Sequence, residues 1–444
     1  MISPRRSSGL SKVRLTVMVA ACFTLLVAAV FRSPPITFMA AVLFSAMLTS
    51  PFIGRLVNRM IGVTRTLPDI GTVGDTIRGQ VTLHNRSALP AVLVHVQAGE
   101  VIEGQRSTSP LVAVGGDEQV IPVLKPHERL VWSQSWRLQR RGCHQLPPAW
   151  AGACDPLALF QALEPKTGVH EILVLPRPLR VNRLGFLGSV AAGLQTPQHA
   201  TAVADAMDFH GVRAWSPGES IRRVHWKSTA RTGQLHVVEW EENIASDLTV
   251  LLDTSASWIV GNPADNTLES AITLTASIAA HLLESGYNFQ LFCWQQPAAE
   301  SPELQVLHHD AHSATSLRAT LQLLARLQPV REEGATLPRL ARSAAPLLPR
   351  GRSVLLIASS LADVAGARQT ILALQQGGAS CYALILDAAS FREGAFRASD
   401  TPPGDTPSGN ARSAVEPHGM APLAAGTRLV RHSDSLTAVL ERTF

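Results

Sequence analysis

The sequence predicts a mixed α/β protein with three parts: a two-helix transmembrane hairpin, an antiparallel β-sandwich-like domain and a doubly wound α/β domain. Three observations lead to this prediction. Two long apolar runs occupy residues 1–60, short alternating runs between turn residues occupy 61–176, and apolar strands alternate with helix-length segments in 246–444. Residues 177–245 connect the second part to the third.

The composition is typical of a membrane protein in a reducing compartment. Hydrophobic residues make up 46% of the chain, which is high for a purely soluble protein, and charged residues make up 16%, which is low. The net charge of +5 is small for 444 residues, and arginines beside the apolar runs explain much of it, so nucleic acid is not an expected partner. The five cysteines include no C-x-x-C pair, which argues against a disulfide framework and a zinc site.

The N-terminal hairpin consists of Leu15–Phe31 and Ile36–Ile53, each about long enough to cross the hydrocarbon core of a bilayer. Two prolines within 32–35 end the first helix. Basic residues lie before the first run and after the second, so both termini and the main body are predicted to be cytoplasmic, at the inner membrane. The alternative is a cleaved signal peptide ending near 28–29, which the second apolar run directly behind it disfavours.

Residues 65–176 are predicted to form an antiparallel β domain. Thr76–His84 and Leu130–Leu138 alternate apolar and polar side chains, as strands with one buried face do. Glycine, asparagine and proline separate such runs at strand-like spacing. The predicted shape is a sandwich of immunoglobulin-like type, and nothing in it indicates catalysis.

A loop rich in oxygen ligands follows the first strand of the C-terminal domain. Leu248–Leu252 is an unbroken apolar run, typical of a strand buried on both faces, and Asp253, Ser255 and Ser257 follow it with D-x-S-x-S spacing. Ligands of α/β sheets bind beyond the carboxyl ends of the strands, and such oxygens suit Mg²⁺ or Mn²⁺. The pattern resembles the von Willebrand factor A-type fold with its metal-ion-dependent adhesion site. The alternative is that Asp253 only caps its loop, without metal.

That resemblance implies two further ligands, and the sequence contains one of them. Gly334-Ala335-Thr336 matches a Gly-x-Thr element, so Thr336 is expected to add a hydroxyl ligand. The last ligand of the resembled site is an aspartate, but Ser360 stands there. Loss of one carboxylate should weaken Mg²⁺ binding, because negative charge offsets the cost of dehydrating the ion. Asp363 could substitute, and otherwise an acidic group from a partner would complete the site.

The connecting segment is dense in Arg, Trp and His between Val203 and Glu242. We expect a short helix or turn over Ile221–Trp226 and a strand over Leu235–Glu239. Arginine stacks on tryptophan and pairs with glutamate, so the segment is either a brace between domains or an exposed docking surface for a protein. The residues predicted to take one of these roles are Arg213, Trp215, Arg222, Arg223, His225, Trp226, Lys227 and Arg231.

The same segment resembles the signature of the bacterial domain-of-unknown-function 58 family. The shared elements include Pro217-Gly218, Arg222-Arg223, His225-Trp226-Lys227 and a closing V-x-E-x-E. The earlier Arg141-Gly142 and Asp155-Pro156-Leu157 elements are also similar to that family. The resemblance implies a partner of the MoxR class of AAA+ ATPases and a role in assembly or envelope maintenance.

The remainder of the C-terminal domain alternates strands and helices. A helix over 268–282 is predicted to end at Gly286. The other predicted elements are strands at 289–294, 354–358 and 382–386, helices at 316–327, 337–347 and 364–376, a disordered insert at 389–426, and a last strand and helix within 428–444. His308, His309, Asp310 and His312 are zinc-ligand types, but we expect them in a polar loop without a fixed scaffold, so zinc is not predicted.

We therefore predict a membrane-anchored protein-binding module that is not an enzyme and that acts through a degenerate metal-ion-dependent adhesion site. The sequence contains no G-x-S-x-G elbow, P-loop or Rossmann glycine pattern, and no base is placed beside the hydroxyls of the Asp253 loop. Two alternatives remain open. One is a Mg²⁺-dependent hydrolase that uses the Asp253 crevice, and the other is a purely structural membrane scaffold.

Overall fold

A computed structural model describes residues 8–31, 34–97, 110–114, 118–155, 163–185, 207–215, 224–242, 248–263, 265–296, 304–332, 334–348, 353–360, 364–376, 379–393 and 427–442. The chain forms two compact units. The first contains residues 1–177 with 324–326, and the second contains 178–323 and 327–444.

Two helices begin the first unit. Helix α1 spans Ser8–Phe31 and helix α2 spans Pro34–Met60. Helix α2 is long and apolar enough to cross a membrane, whereas the apolar stretch of α1 is shorter, Thr16–Val27. Both predicted apolar runs are helical, and α2 extends seven residues past the predicted end at Ile53 because its last two turns pack on the β domain. A crossing by α1 stays a prediction.

The β domain of the first unit contains two four-stranded antiparallel sheets and one three-stranded sheet. The first sheet has the order β1-β3-β7-β5, the second β10-β9-β4-β6 and the third β2-β11-β8. All neighbouring strands are antiparallel except β2 and β11. The strands are β1 Ile61–Thr66, β2 Ile70–Thr72, β3 Thr76–Asn85, β4 Ala91–Gln97, β5 Leu111–Val114, β6 Glu118–Leu124, β7 Arg129–Leu138, β8 Gly142–Leu146, β9 Trp150–Cys154, β10 Glu164–Pro165 and β11 His170–Leu175.

The core of this β domain follows from the alternation in its strands. In β3 every second residue is buried, and Val81 and Leu83 are completely covered. Trp136 on β7 and Val94 on β4 complete the centre of the same cluster, which also includes Val57 of α2. The predicted antiparallel β-sheets are confirmed, because alternating sequences bury only one face of each strand.

The second unit begins with a two-stranded antiparallel sheet of β12 (Met207–Ala214) and β13 (His236–Glu242). Helix α3, Trp226–Thr232, lies between them in sequence. The predicted helix or turn over Ile221–Trp226 is wrong at Val224 and His225, and Trp226 is the first residue of α3. Val224 forms a bridge with Val237, and the His225 N–H donates to the His236 carbonyl at 2.8 Å, so both residues are extended beside β13.

The main sheet of the second unit has six strands in the order β18-β17-β14-β19-β20-β21. In chain order this is 3-2-1-4-5-6, and all strands are parallel except β18, which is antiparallel to β17. Strand β14 lies between β17 and β19, where the strand order reverses. The strands are β14 Leu248–Leu252, β17 Phe289–Gln295, β18 Gln305–Ala311, β19 Ser353–Ser359, β20 Ser380–Leu386 and β21 Thr427–Val430, with a small hairpin of β15 Gly261–Asn262 and β16 Asp265–Asn266.

Helices connect these strands. They are α4 Thr267–Glu284, α5 Leu317–Arg326, α6 Leu337–Ala344, α7 Val364–Gln376 and α8 Leu436–Glu441, with single 3₁₀ turns at Ala256–Trp258, Ala314–Ser316 and Ala345–Leu347. Asn266 caps the start of helix α4, because its side chain accepts a hydrogen bond from the Glu269 N–H. The helix ends before Gly286, which has a φ of +81°. The predicted helices in this unit are confirmed within a few residues.

Two further predictions about the second unit are wrong. The segment with His308 and His309 is not a polar loop but strand β18, because it pairs along its whole length with β17. The predicted disordered insert begins too early, because residues 388–393 are helical and Phe391 is buried. The remainder of that insert, 394–426, lies outside the described residues.

Candidate functional site

The candidate site centres on Asp253, the first residue after β14. Its N–H donates to the Ile357 carbonyl at 3.0 Å, which holds it against the neighbouring strand β19. The side chain is only 3% exposed. Its Oδ1 accepts from the Ser255 N–H at 2.9 Å, so the carboxylate also closes the turn that leaves the strand.

The electrostatics of Asp253 are unfavourable for a bare carboxylate. Burial raises the pKa of Asp253, and this effect outweighs Ser255 and the Trp258 side chain, which favour the charged form. Among the residues that the structure describes, no lysine or arginine contributes to this pKa shift. A carboxylate that is desolvated without a cation beside it is stabilised by any positive charge that can reach it.

Three hydroxyl groups in the loops around Asp253 fit the predicted ligand pattern. Ser255 is buried and Ser257 is exposed, and their Oγ atoms are 3.5 Å apart. Ser255 and Thr336 both occupy N-cap positions, yet neither side chain makes the capping hydrogen bond. The Ser255 hydroxyl instead hydrogen-bonds the Asp253 carboxylate, so it lies within reach of any ion that the carboxylate would bind.

The Gly-x-Thr loop starts beside the D-x-S-x-S loop. Ser255 and Val330 form a parallel bridge, in which the Ala256 N–H donates to the Val330 carbonyl at 2.7 Å and the Val330 N–H donates to the Thr254 carbonyl at 2.8 Å. The chain then continues for six residues to Thr336, which is exposed at the start of α6. The structure thus brings the beginnings of the two predicted loops together.

Ser360 has a local structural role. Its N–H donates to the Leu386 carbonyl at 2.8 Å, and its Oγ accepts from the Ala388 N–H at 3.0 Å. These bonds connect the end of β19 to the segment after β20. Asp363 lies outside the described residues, as do Arg222 and Arg223. Within the ranges that the structure describes, no group of three or more His, Cys, Asp or Glu side chains could hold a metal ion.

The predicted donor set is one carboxylate and three hydroxyls, of which Asp253, Ser255 and Ser257 lie together in the structure. Hard oxygen donors of this kind fit Mg²⁺ in chemistry, and the uncompensated charge of Asp253 favours a cation. A single carboxylate is little charge for an ion that is costly to dehydrate. The residues fit a weak magnesium site that an additional acidic ligand would strengthen.

The histidines of β18 do not converge. His308 stacks on Phe292 with ring centroids 4.3 Å apart, and its Nε2 lies 3.1 Å from Asp310 Oδ1. His309 points to the opposite face of the strand, where its Nε2 lies 2.9 Å from Thr320 Oγ1. This alternation places the two neighbouring histidines on opposite faces of the strand.

The residues predicted to act in the connecting segment differ in their burial and contacts. His225 is the N-cap of α3, with its Nδ1 2.8 Å from Ser228 Oγ, and Trp215 is half-buried, with its N–H donating to the Leu235 carbonyl. Trp226 is 65% exposed, and Lys227 and Arg231 on the same helix are exposed. Arg213 lies on β12 opposite Val237, and its side chain is outside the described residues.

Sequence reasoning missed two residues that shape the site. Thr254, which occupies the variable position of D-x-S-x-S, is fully buried, and its Oγ1 donates to the Trp294 carbonyl at 2.8 Å. Arg339 of α6 lies with its guanidinium 5.8 Å from the Trp294 ring centroid and 3.5 Å from the Gly334 carbonyl. The spacing of Thr336 and Arg339, one turn apart on a helix, was a signal for the second residue.

A family model described as "Protein of unknown function DUF58" matches residues 211–352. This part of the chain belongs to the DUF58 family. The predicted family is thereby confirmed, and the DUF58 segment includes Asp253, Ser255, Ser257 and Thr336 as well as helix α3. No curated protein matches the chain.

Three solved structures are distantly similar to parts of the chain. The CARDB domain of the PF1109 protein from Pyrococcus furiosus is 14% identical, with a TM-score of 0.19, 26% of this chain covered and 87% of that chain. The conserved hypothetical protein BatB from Bacteroides thetaiotaomicron is 14% identical, with a TM-score of 0.25 and coverage of 32% and 66%. An aerotolerance-related membrane protein from Bacteroides fragilis is 15% identical, with a TM-score of 0.22 and the same coverage.

Proposed function

We propose that this DUF58 protein is a membrane-anchored protein-binding module, and that it binds its partner through a degenerate metal-ion-dependent adhesion site. Asp253, Ser255, Ser257 and Thr336 would hold Mg²⁺ weakly, and an acidic side chain of the partner would supply the missing charge. The observation that carries the proposal is the buried carboxylate of Asp253, which hydrogen-bonds the Ser255 hydroxyl and has no lysine or arginine of the described residues among the causes of its raised pKa. We propose no enzymatic activity.

Three features support the proposed fold, site and membrane anchor. The strand order 3-2-1-4-5-6 with one antiparallel edge strand supports a doubly wound domain of von Willebrand factor A type. Asp253 follows the strand where that order reverses, which is where ligands of such sheets bind. Helix α2 supports a membrane anchor, and basic residues on both flanks of the apolar runs support two crossings with a cytoplasmic body at the inner membrane.

The partner class comes from the family resemblance. We propose a MoxR-type AAA+ ATPase as the partner, in assembly or envelope maintenance. Helix α3 is a second contact surface for it, because Trp226 presents a large aromatic side chain to solvent on the same helix as the exposed Lys227 and Arg231. Exposed tryptophan and arginine are enriched at the energetic centres of protein interfaces.

The test is Mg²⁺ binding by the full-length chain in detergent, measured by calorimetry, followed by capture of the co-purifying ATPase with Mg²⁺ or EDTA. We expect weak Mg²⁺ binding that is lost in Asp253→Asn, and partner capture that is weakened by EDTA. Asp310→Asn makes the same chemical change on edge strand β18 and should alter neither. Capture that is unchanged in Asp253→Asn and in EDTA would refute the adhesion site and favour a structural scaffold. Mg²⁺-dependent turnover of phosphate or peptide esters that is lost in Asp253→Asn would favour a hydrolase instead.

A further inference from the structure

The second half of helix α2 has one face buried against the β domain. Ser50, Val57 and Asn58 are 2%, 4% and 1% exposed, and Gly54 is also buried. Spacings of three, four and seven residues place these positions on one side of the helix. Val57 is part of the hydrophobic core of the β domain. This half of α2 is therefore an integral element of the first unit.

Polar contacts hold that face in place. The Ser50 hydroxyl donates to Asp155 Oδ2, and Lys166 Nζ donates to the Asn58 carbonyl at 2.8 Å. A Cβ on Gly54 would lie 3.1 Å from the Cβ of Asp155, so the helix approaches this loop closely. Strand β1 begins at Ile61, directly after the last residue of α2. The helix is thus joined to the β domain without a linker.

The opposite face of the same half-helix is uncovered and apolar. Leu48, Phe52 and Leu56 are 76%, 74% and 54% exposed. Each is four residues from the next, so the three form one row along the helix. Arg55 and Arg59 are exposed beside this row, also four residues apart. The face therefore combines an apolar stripe with two adjacent positive charges.

We infer that this outward face of α2 is a binding surface for anionic phospholipids. The inference rests on the membrane anchoring in the proposed function and adds the lipid class. The first 20 residues of α2 span about 30 Å, the thickness of the hydrocarbon core, which places Arg55 and Arg59 at the level of the lipid headgroups. Phe52 and Leu56 contact the acyl chains close to the headgroups, while the two guanidinium groups pair with phosphate.

Lipid is the occupant that this geometry favours over a protein. The stripe is continuous with the apolar helix that enters the membrane, so lipid reaches it without any further association. The arginines complement the negative charge of phosphatidylglycerol and similar headgroups. Since the other face of α2 is fixed to the β domain, headgroup binding would also set the orientation of that domain at the membrane surface.

The test uses the full-length chain in detergent, titrated with phosphatidylglycerol or phosphatidylcholine, with bound lipid measured by native mass spectrometry. We expect preferential binding of phosphatidylglycerol that weakens at high salt. Arg55→Gln with Arg59→Gln should lower its affinity about 30-fold, since each basic residue near an anionic surface contributes about fivefold. The control pair Arg78→Gln with Arg129→Gln changes the charge equally at exposed β-domain positions and should retain binding.

Three outcomes would overturn the inference: equal binding of the two lipids, unchanged affinity in the Arg55/Arg59 pair, or an equal loss in the control pair. Self-association of the chain that depends on Phe52 and Leu56 would assign the face to a second copy instead. Failure of the proposed anchoring has a separate sign, which is recovery of the chain in the soluble fraction without detergent. A chain that stays in the membrane fraction but binds both lipids equally refutes only the lipid preference.

Discussion

Replacing Asp253 by Asn tests whether the site is an unsatisfied anion or a structural cap. The amide keeps an oxygen that can accept from the Ser255 N–H and removes the charge. Burial raises the pKa of Asp253, so at neutral pH the folded chain carries a carboxylate in a poorer environment than water. Each unit by which the folded pKa exceeds the unfolded value costs the folded state about 1.4 kcal/mol above both pKa values.

The expected result is a more stable metal-free protein. We expect Asp253→Asn to gain about 1–3 kcal/mol at neutral pH, because the amide keeps an acceptor oxygen and removes a charge whose burial is unfavourable. The sign depends on pH. Because the folded pKa is raised, the stability of the wild type is favoured below the unfolded pKa of about 3.9 and falls as pH rises through the folded pKa. The advantage of the variant should therefore disappear in acid.

Magnesium should reverse the comparison. At 100 times its dissociation constant, a ligand that binds only the folded state adds about 2.7 kcal/mol. The wild type should gain this amount and Asp253→Asn should gain none. The measurement is urea unfolding of the full-length chain in detergent, followed by tryptophan fluorescence at neutral and acid pH with EDTA or Mg²⁺. Trp258 is fully buried three residues after Ser255 and reports on this unit.

One stability result would contradict the proposed metal site. If Asp253→Asn loses more than about 1 kcal/mol at neutral pH in EDTA, the charge is a structural cap and the metal argument fails. The control Asp310→Asn should change stability by less than about 0.5 kcal/mol, as surface substitutions usually do.

Two further predictions concern the same loops. Ser360→Asp restores the carboxylate of the resembled pattern and should strengthen Mg²⁺ binding about tenfold in calorimetry, because negative charge offsets the cost of dehydrating the ion. The control Ser390→Asp adds the same charge after β20 and should leave the affinity for Mg²⁺ unchanged. An unaltered affinity in Ser360→Asp would exclude that position from the site. Thr254→Val keeps the side-chain shape but removes the hydrogen bond to the Trp294 carbonyl, and should lower the free energy of unfolding by about 1–3 kcal/mol in the same urea assay. Thr273→Val on α4 removes a bond within one helix and should cost less; equal losses would show that the Thr254 bond has no special role.

Segments with a strong local pattern were predictable. The run Leu248–Leu252 lacks polar alternation because both of its faces are covered, and it is a fully buried central strand. Helix α7 has the predicted bounds, Val364–Gln376, because glycines follow its last residue. Alternation in Thr76–His84 likewise predicted strand β3.

Segments whose structure depends on partners distant in the sequence were not predictable. Strand β18 has a polar sequence around His308, and it is a strand because β17 offers an unpaired edge. His225 and Val224 are extended beside β13, although their local composition suggested a helix or turn. The role of Ser360 follows from the Ala388 N–H, which lies on another loop.

For the candidate site, the residue types were visible in the sequence and their environment was not. D-x-S-x-S after an apolar strand already indicated oxygen ligands at a sheet edge, since that inference needs only residue chemistry and strand polarity. Three features required the folded chain: the burial of Asp253, the bridge between Ser255 and Val330, and a raised pKa of Asp253 to which no lysine or arginine of the described residues contributes. Solvent exclusion and charge pairing are produced by elements far apart in sequence, so the local pattern predicts the ligands and the three-dimensional packing sets their charge and accessibility.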